Sequence, residues 1–343
     1  MPAFLFSDLQ PMPCAVGPAY HDRMVLLRWS KLPLRALALG AMFFVASNAA
    51  SAERVVTLLH TNDFHGRLTG FNAAPGNATA QTDDPGRPPQ EFDRTGMVGG
   101  FAALATAVKR QREGRGDDNV LLVHAGDTFS DDLLGNLTRG EAIVRAMNAL
   151  RFDFMALGNH DFDYGAERTR ALARLAKFPM RGANVIERMS GRPFLGEPTF
   201  IARRGNRRIG FIALGYHNSA LTGDKKNTQQ LRFDNGIEHA RRLVGQLRPK
   251  VDAIVVVSHQ GTKVDRKLAE TVDGIDVIVG GHSHDDLAPV RVGNTYLVQA
   301  MSDAAELGVL NLHFDGRRLQ RVEGDNLTLW HDEFPPDTEM QAL

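Results

Sequence analysis

The sequence holds a single cysteine, Cys14, in a chain of 343 residues. One cysteine cannot form an internal disulfide, and it cannot supply a thiolate cluster for a metal ion. Charge of either sign is not in excess, because 40 basic residues balance 40 acidic ones. We therefore expect no nucleic-acid partner and no broad binding to an anionic membrane. Any anionic ligand must be held by a local site.

Long hydrophobic runs are also missing. The apolar stretch 36–46 is too short to span a bilayer, but it follows a basic region and precedes Ala50-Ser51-Ala52, the small residues that signal peptidase prefers. The sequence thus predicts an N-terminal extension and signal peptide over residues 1–52, export to the periplasm and no stable membrane insertion after cleavage. The alternatives are an uncleaved anchor or a leader without structure, and Met24 is an alternative start. Cys14 lies in the part removed.

Apolar, β-branched runs alternate with amphipathic segments, which predicts an α/β fold. The predicted strands are 55–60, 120–124, 152–157, 182–185, 199–204, 207–214, 253–257, 275–279, 295–300 and 307–314. The predicted helices are 98–112, 141–150, 166–177, 237–247 and 267–272. Residues 69–94 are rich in Pro, Gly, Asn and Asp and predict a long exposed loop, disordered or lid-like.

Five of these strands end in polar residues of the kinds that bind metals. The residues are Asp63, His65, Asp127, Asn159, His160, Asp163, His259, His282 and His284. Each motif alone has a simpler explanation; an Asp-x-His, for example, is more often a turn with a capping Asp. In extended backbone, however, the spacing of Asp63 and His65 would point both side chains to one side. Because the five strand ends would meet at one edge of a sheet, we expect a shared site.

The ligand set is nitrogen and oxygen without sulfur, which suits Zn, Mn, Fe or Co. One tetrahedral metal takes about four ligands, fewer than the sequence offers. Two divalent metal ions that share a bridging carboxylate are therefore expected. Such a pair clamps a displacement at phosphorus and lowers the pKa of bound water.

The ordered motifs of this chain resemble those of the calcineurin-like metallophosphoesterases. They are Asp63-x-His65, Gly126-Asp127, Gly158-Asn159-His160-Asp161, His259 and Gly281-His282-Ser283-His284. More narrowly, residues 59–66, 158–165 and 258–261 resemble the catalytic domain of the periplasmic 5′-nucleotidase and UDP-sugar hydrolase family. The resemblance implies a four-layer α/β/β/α sandwich with the metal site at the strand ends. We expect a catalytic domain over residues 53–330 and a C-terminal tail over 331–343.

The resemblance also implies roles for the site residues. One metal would be bound by Asp63, His65, Asp127 and His284. The other would be bound by Asp127, Asn159, His259 and His282, with Asp127 bridging. His160 would lie near the phosphoryl group as a catalytic residue, and Asp163 would orient its imidazole and favour its protonated form. Asn159 and His160 are adjacent, and in extended backbone both could not readily serve one metal, which is consistent with this division.

The implied function is hydrolysis of nucleotide phosphomonoesters, as in a 5′-nucleotidase, by attack of a metal-bridged hydroxide. The alternatives are a 2′,3′-cyclic-nucleotide phosphodiesterase, a thiosulfohydrolase-like enzyme, and an inactive protein that binds metal or nucleotide. The family's nucleotidases carry a second, C-terminal domain that recognises the base, and it is lacking in this sequence. Phe71, Phe92 and residues 216–218 are candidate substitutes, although plain packing explains each of them singly.

Overall fold

The computed structural model describes residues 54–75 and 92–343. The predicted signal peptide, Cys14 and residues 76–91 of the predicted 69–94 loop lie outside the described residues. The strands are β1 Arg54–Thr61, β2 Phe71–Ala73, β3 Gly96–Val98, β4 Val120–His124, β5 Phe154–Ala156, β6 Met180–Arg181, β7 Val185–Glu187, β8 Thr199–Arg204, β9 Arg207–Leu214, β10 Leu231–Phe233, β11 Ala253–Ser258, β12 Val277–Val279, β13 Leu287–Val292, β14 Thr295–Gln299, β15 Glu306–Asp315 and β16 Arg318–Thr328.

The helices lie between these strands and at the C-terminal end. They are α1 Phe101–Arg115, α2 Leu133–Thr138, α3 Glu141–Ala149, α4 Ala166–Leu175, α5 Ser219–Thr222, α6 Lys225–Thr228, α7 Gly236–Leu247, α8 Thr262–Thr271 and α9 Thr338–Gln341. Short 3₁₀ turns occur at Asp117–Asn119, His160–Phe162 and Arg248–Lys250. None of the helices in the described ranges combines the length and apolar character needed to cross a membrane.

Most strands form two six-stranded sheets. The first has the order β16-β15-β1-β4-β5-β6, and the second has the order β13-β14-β12-β11-β9-β8. In the first sheet β1, β4, β5 and β6 run parallel. In the second sheet β9, β11, β12 and β14 run parallel. The carboxyl ends of the parallel strands therefore lie along one edge of each sheet, where α/β proteins place ligand sites.

Three buried clusters define four layers. Side chains of a strand alternate between its two faces, so Leu58 of β1 packs between the two sheets while Leu59 packs against helices of the first sheet. In the same way Val255 of β11 faces the first sheet, whereas Ile254 and Val256 pack with residues of α7 and α8. Helices thus cover the outer face of each sheet. The predicted α/β/β/α sandwich is confirmed.

The strand prediction is confirmed without change for β4, β8 and β9. Five strands, β2, β3, β10, β13 and β16, were not predicted, and β2 lies inside the predicted 69–94 loop. β13 contains Pro289, which removes a backbone donor and is tolerated because β13 is an edge strand. β16 is an exposed edge strand of mostly polar residues, so it has no apolar alternation. The predicted strand 182–185 was also misplaced, since β6 ends at Arg181 and β7 begins at Val185.

Residues 331–343, predicted as a tail, lie along α1. Thr106 Oγ1 donates a hydrogen bond to Pro335 O at 2.6 Å, and Lys109 Nζ bonds Asp337 Oδ2 at 2.5 Å. Asp337 also caps α9 by accepting a bond from Met340 N. These contacts are mostly exposed, so each contributes little to stability.

Candidate metal centre

The two sheets bring the five predicted strand ends together. Backbone hydrogen bonds connect the loops after β1 and β4, with Asp63 N donating to Gly126 O at 2.9 Å. Two contacts link the sheets: His282 N donates to Asp63 Oδ2 at 2.9 Å, and His259 Nδ1 lies 2.6 Å from Ala125 O. The site is therefore built across the sheets at the edge where their parallel strands end.

The predicted metal ligands fall into two compact groups. The first is Asp63, His65 and His284, and the second is Asp127, His259 and His282; within each group the ligand atoms lie within 4.8 Å of one another. His65 Nε2 is 3.0 Å from His284 Nε2, which is 3.3 Å from Asp63 Oδ1. Two further groups of the same kind contain His160: one with His65 and Asp127, the other with Asp131 and Asp163. Proximity alone therefore also permits His160 as a ligand.

The backbone at the ligands is not extended, so the expectation for Asp63 and His65 was wrong. The φ angles of Asp63, His65, Asp127, His282 and His284 are 51°, 47°, 56°, 75° and 53°. This left-handed region is uncommon for residues other than glycine, and strain of this kind clusters at functional sites. The tight turns, rather than strand alternation, aim these side chains inward.

Hydrogen bonds on the outer ring nitrogens orient two of the histidines. His65 Nδ1 lies 2.8 Å from Asp131 Oδ2, and His259 Nδ1 lies 2.6 Å from the carbonyl of Ala125. Because both partners are acceptors, Nδ1 carries a proton, and in the neutral ring that binds a metal the lone pair of Nε2 points into the site. His259 Nε2 is buried and has no well-aligned hydrogen-bond partner in the described part of the chain, although Asp127 Oδ2 is 3.0 Å away.

This arrangement fits divalent cations. Two nitrogen lone pairs and two buried carboxylates converge without a Lys or Arg side chain of the described ranges pairing with either carboxylate. Burial alone would raise the pKa of Asp63 and Asp127, but neighbouring histidines hold both well below the usual value. Conversely, burial opposes protonation of His65 and His259, yet the pKa of each is raised to about 9, that of His65 chiefly by its hydrogen bond to Asp131 and that of His259 by the charges of Asp127 and Asp63. The site therefore attracts positive charge strongly.

His160 and Asp163 lie at the rim of the centre, His160 at the start of a 3₁₀ turn and Asp163 directly after it. His160 Nδ1 is 2.9 Å from Asp163 Oδ2, which also accepts a hydrogen bond from Ser130 Oγ at 2.6 Å. Burial would lower the pKa of His160, but the charge of Asp127 and the hydrogen bond to Asp163 raise it to about 11. The backbone of the buried Asn159 is helical, with φ −76° and ψ −39°, so the expected extended backbone is wrong here too.

Sequence reasoning assigned no role to three residues that support the ligands. Asp161 accepts hydrogen bonds from three backbone N–H groups, those of Gly158 at 2.7 Å, Thr128 at 2.8 Å and Asp127 at 3.2 Å. Asn62 Nδ2 donates to Asp63 Oδ2 at 2.7 Å, and Asp131 orients His65. Asp161 lies inside the Gly158–Asp161 motif and could have been found there. The contacts of Asn62 and Asp131 depend on folded loops.

Two of the aromatic candidates for base recognition, Phe92 and Tyr216, differ in their surroundings. Phe92 is buried and packs edge-on against Phe71 and Trp330, with ring centroids 5.7 and 5.8 Å away. Plain packing therefore accounts for Phe92. Tyr216 instead stacks on His282, with centroids 3.9 Å apart and an interplanar angle of 29°. Tyr216 is thus an aromatic side chain at the border of the metal centre.

A four-layer sandwich with such a histidine and carboxylate centre defines a metal-dependent phosphoester hydrolase. The calcineurin-like phosphoesterase family model matches residues 56–286, and the chain belongs to this family. Human 5′-nucleotidase is 31% identical over 333 residues, covering 89% of this chain and 54% of the human protein. The chain thus spans about half the length of that relative.

Solved structures show the same fold. A 5′-nucleotidase precursor from Thermus thermophilus matches with a TM-score of 0.70 at 29% identity, over 84% of this chain and 57% of that chain. A sulfate thiohydrolase, also from Thermus thermophilus, matches with a TM-score of 0.73 at 25% identity, over 84% of this chain and 59% of that chain. Both therefore extend beyond the region that they share with this chain.

Proposed function

We propose that the protein is a secreted, periplasmic hydrolase of nucleotide phosphomonoesters that uses two divalent metal ions. The observation that carries the proposal is the pair of ligand groups, Asp63 with His65 and His284, and Asp127 with His259 and His282. The likeness to 5′-nucleotidases over most of this chain supports nucleotides as the substrate class. The predicted signal peptide supports export, and sequencing the N-terminus of the exported protein would test for cleavage after Ala52.

We assign the ligands to the two metal ions as follows. Asp63, His65 and His284 would hold one ion, while His259, His282 and Asn159 would hold the other, and Asp127 would bridge. Bound divalent ions lower the pKa of water and neutralise charge on a phosphoryl group. Bridging by Asp127 is supported by its membership of two groups of possible ligands, one with His259 and His282 and one with His65 and His160.

His160 would act on the leaving group. Its Nδ1 is engaged by Asp163, so protonation adds the second proton at Nε2. From Nε2 the imidazolium can donate a hydrogen bond to the phosphoryl group and then a proton to the departing ester oxygen. Ser130 and Asp163 would hold the ring in that orientation. No covalent phosphoenzyme is required.

A substrate panel tests this function. The Mn-, Co- or Zn-loaded protein would be assayed side by side on AMP, UDP-glucose, 2′,3′-cyclic AMP and p-nitrophenyl phosphate. We expect phosphate release from AMP to be the most efficient of these reactions. A preference for 2′,3′-cyclic AMP would instead indicate a phosphodiesterase. Absence of hydrolysis of every phosphoester would favour the inactive protein that binds metal or nucleotide.

One observation favours a second candidate, a thiosulfohydrolase-like reaction. The sulfate thiohydrolase of Thermus thermophilus has a TM-score of 0.73, close to the 0.70 of the nucleotidase precursor. Fold similarity does not decide the substrate. Hydrolysis of an S-sulfonate, R–S–SO₃⁻, to sulfate and the free thiol, with no release of phosphate from AMP, would select this alternative.

A further inference from the structure

A cleft rich in arginine lies at the opposite edge of the second sheet from the metal centre. Asp252 directly precedes β11 and Asp276 directly precedes β12, whereas His259 and His282 follow the same two strands. A strand of six residues such as β11 spans about 20 Å. The cleft and the metal centre are therefore separate sites at the two ends of these strands.

Two adjoining cavities form this arginine cleft. The larger, of about 710 Å³, is lined by five arginines and two aspartates among its residues: Arg248, Arg291, Arg317, Arg318, Arg321, Asp252 and Asp276. The smaller, of about 240 Å³, shares Asp252 and Arg317 and adds Arg203, Arg207 and Arg208. In a chain whose overall charge is zero, this local excess of positive charge is a strong attraction for anions.

Only part of this charge is neutralised by the lining. Asp252 Oδ1 pairs with Arg317 Nε at 2.5 Å, and Asp276 Oδ2 pairs with Arg248 Nη1 at 2.6 Å. Arg321 pairs with Glu323. Arg291, by contrast, donates to the neutral acceptors Gly293 O and Asn294 Oδ1, which hold its guanidinium without cancelling its charge.

Arg207 adds a buried donor. It is 6% exposed, and its Nε has no hydrogen-bond partner among residues 54–75 and 92–343. Its guanidinium carbon lies 5.5 Å from the ring centre of Phe314, which contributes a cation–π contact but satisfies no N–H group. A buried charged group with an unpaired N–H is unfavourable, and the positive charge of Arg207 adds to the attraction of the smaller cavity for anions.

We propose that the arginine cleft binds small soluble anions that carry two or more phosphate groups. Guanidinium groups bind phosphate through paired N–H donors. Several arginines spread over two joined cavities suit an extended anion better than a single phosphate. Tyr296, which lines the larger cavity with the Arg291 guanidinium 5.9 Å from its ring centre, adds an aromatic surface.

Calorimetric titration with tripolyphosphate tests the proposal on the full chain. The Asp127→Ala variant, in which the metal centre is disabled, should still bind one tripolyphosphate. Adding Arg291→Gln and Arg318→Gln should weaken that binding by about tenfold or more, which corresponds to the loss of one charged hydrogen bond. AMP turnover of the otherwise wild-type protein with the two arginine changes should be unaltered.

A matched control variant removes two positive charges outside the arginine cleft. Arg174 and Arg192 are exposed and do not line the cleft. Arg174→Gln with Arg192→Gln should leave tripolyphosphate affinity within about twofold of the parent, because distant exposed charges are screened by salt. Equal weakening in the control and in the cleft variant, or no binding by the Asp127→Ala parent, would overturn the proposal.

Discussion

Replacing Asp161 by Asn tests whether a residue outside the ligand set builds the metal centre. The carboxylate accepts three backbone N–H groups: one oxygen takes Gly158 and Asp127, and the other takes Thr128. An amide of the same shape offers one oxygen and one N–H₂ group, so at least one of these donors faces another donor. A buried N–H group left without an acceptor costs about 1–3 kcal/mol. We expect the free energy of unfolding to fall by this amount.

Metal affinity should fall in the same variant, because Asp161 holds the backbone of Asp127. Loss of a supporting contact to a metal site typically weakens binding by about 10–100-fold. Urea denaturation measures the first effect and titration with Mn²⁺ against a chelator measures the second. Asp118→Asn, at an exposed position, is the control and should change neither. Unaltered stability and unaltered Mn²⁺ affinity in Asp161→Asn would refute the role assigned to Asp161.

Three further predictions concern the reaction, the close packing of the loops and the effect of pH. Asp163→Ala should lower kcat of AMP hydrolysis by about 100-fold or more and leave bound metal unchanged; steady-state kinetics and metal analysis check this, and metal loss would contradict it. Gly158→Ala should abolish metal binding, since its Cβ would lie 2.5 Å from Asp127 N, which metal analysis of the purified variant would show. Above pH 8, Glu306→Gln should raise the Tm by about 2–4 °C. An equal rise at pH 5 would contradict burial of the charged Glu306 carboxylate as its cause.

The sign of the Glu306 effect follows from its surroundings. Burial and the charge of Asp286 raise the pKa of Glu306 from 4.5 to about 8. A raised pKa means that the folded state binds the proton more tightly than the unfolded state, so this stabilisation is complete below pH 4.5 and is lost as pH rises to about 8. Glutamine stays neutral and can keep both contacts, accepting from Met301 N and donating to Thr328 Oγ1.

Much of the fold could be predicted because each central strand is marked by its own apolar residues and by the turn residues that follow it. The run Val120–His124 is apolar and ends at Ala125-Gly126, and the β8–β9 hairpin is marked by Gly205-Asn206. β16 could not be predicted, because its pairing with β15 and not its own composition makes it a strand. The family resemblance then supplied the layer order, which no single run of residues contains.

The sequence predicted which residues lie together at the site, but it did not predict their backbone conformations. Strand ends with His and Asp predicted candidate ligands that the structure brings together, but they did not predict the left-handed backbone of Asp63 and His282. These conformations are imposed by bonds between distant loops, such as His282 N to Asp63 Oδ2. Asp131 was missed for the same reason, since its contact with His65 spans residues 66 positions apart.

The most direct test of the account is metal content and AMP hydrolysis measured on the same three preparations. We predict two divalent ions per chain and phosphate release for the wild type. His160→Ala should retain both ions but lose most turnover, while Asp127→Ala should lose both metal and activity. Full activity in the two variants, or a wild type that is active without bound metal, would contradict the assignment of Asp127 to the metals and His160 to the reaction.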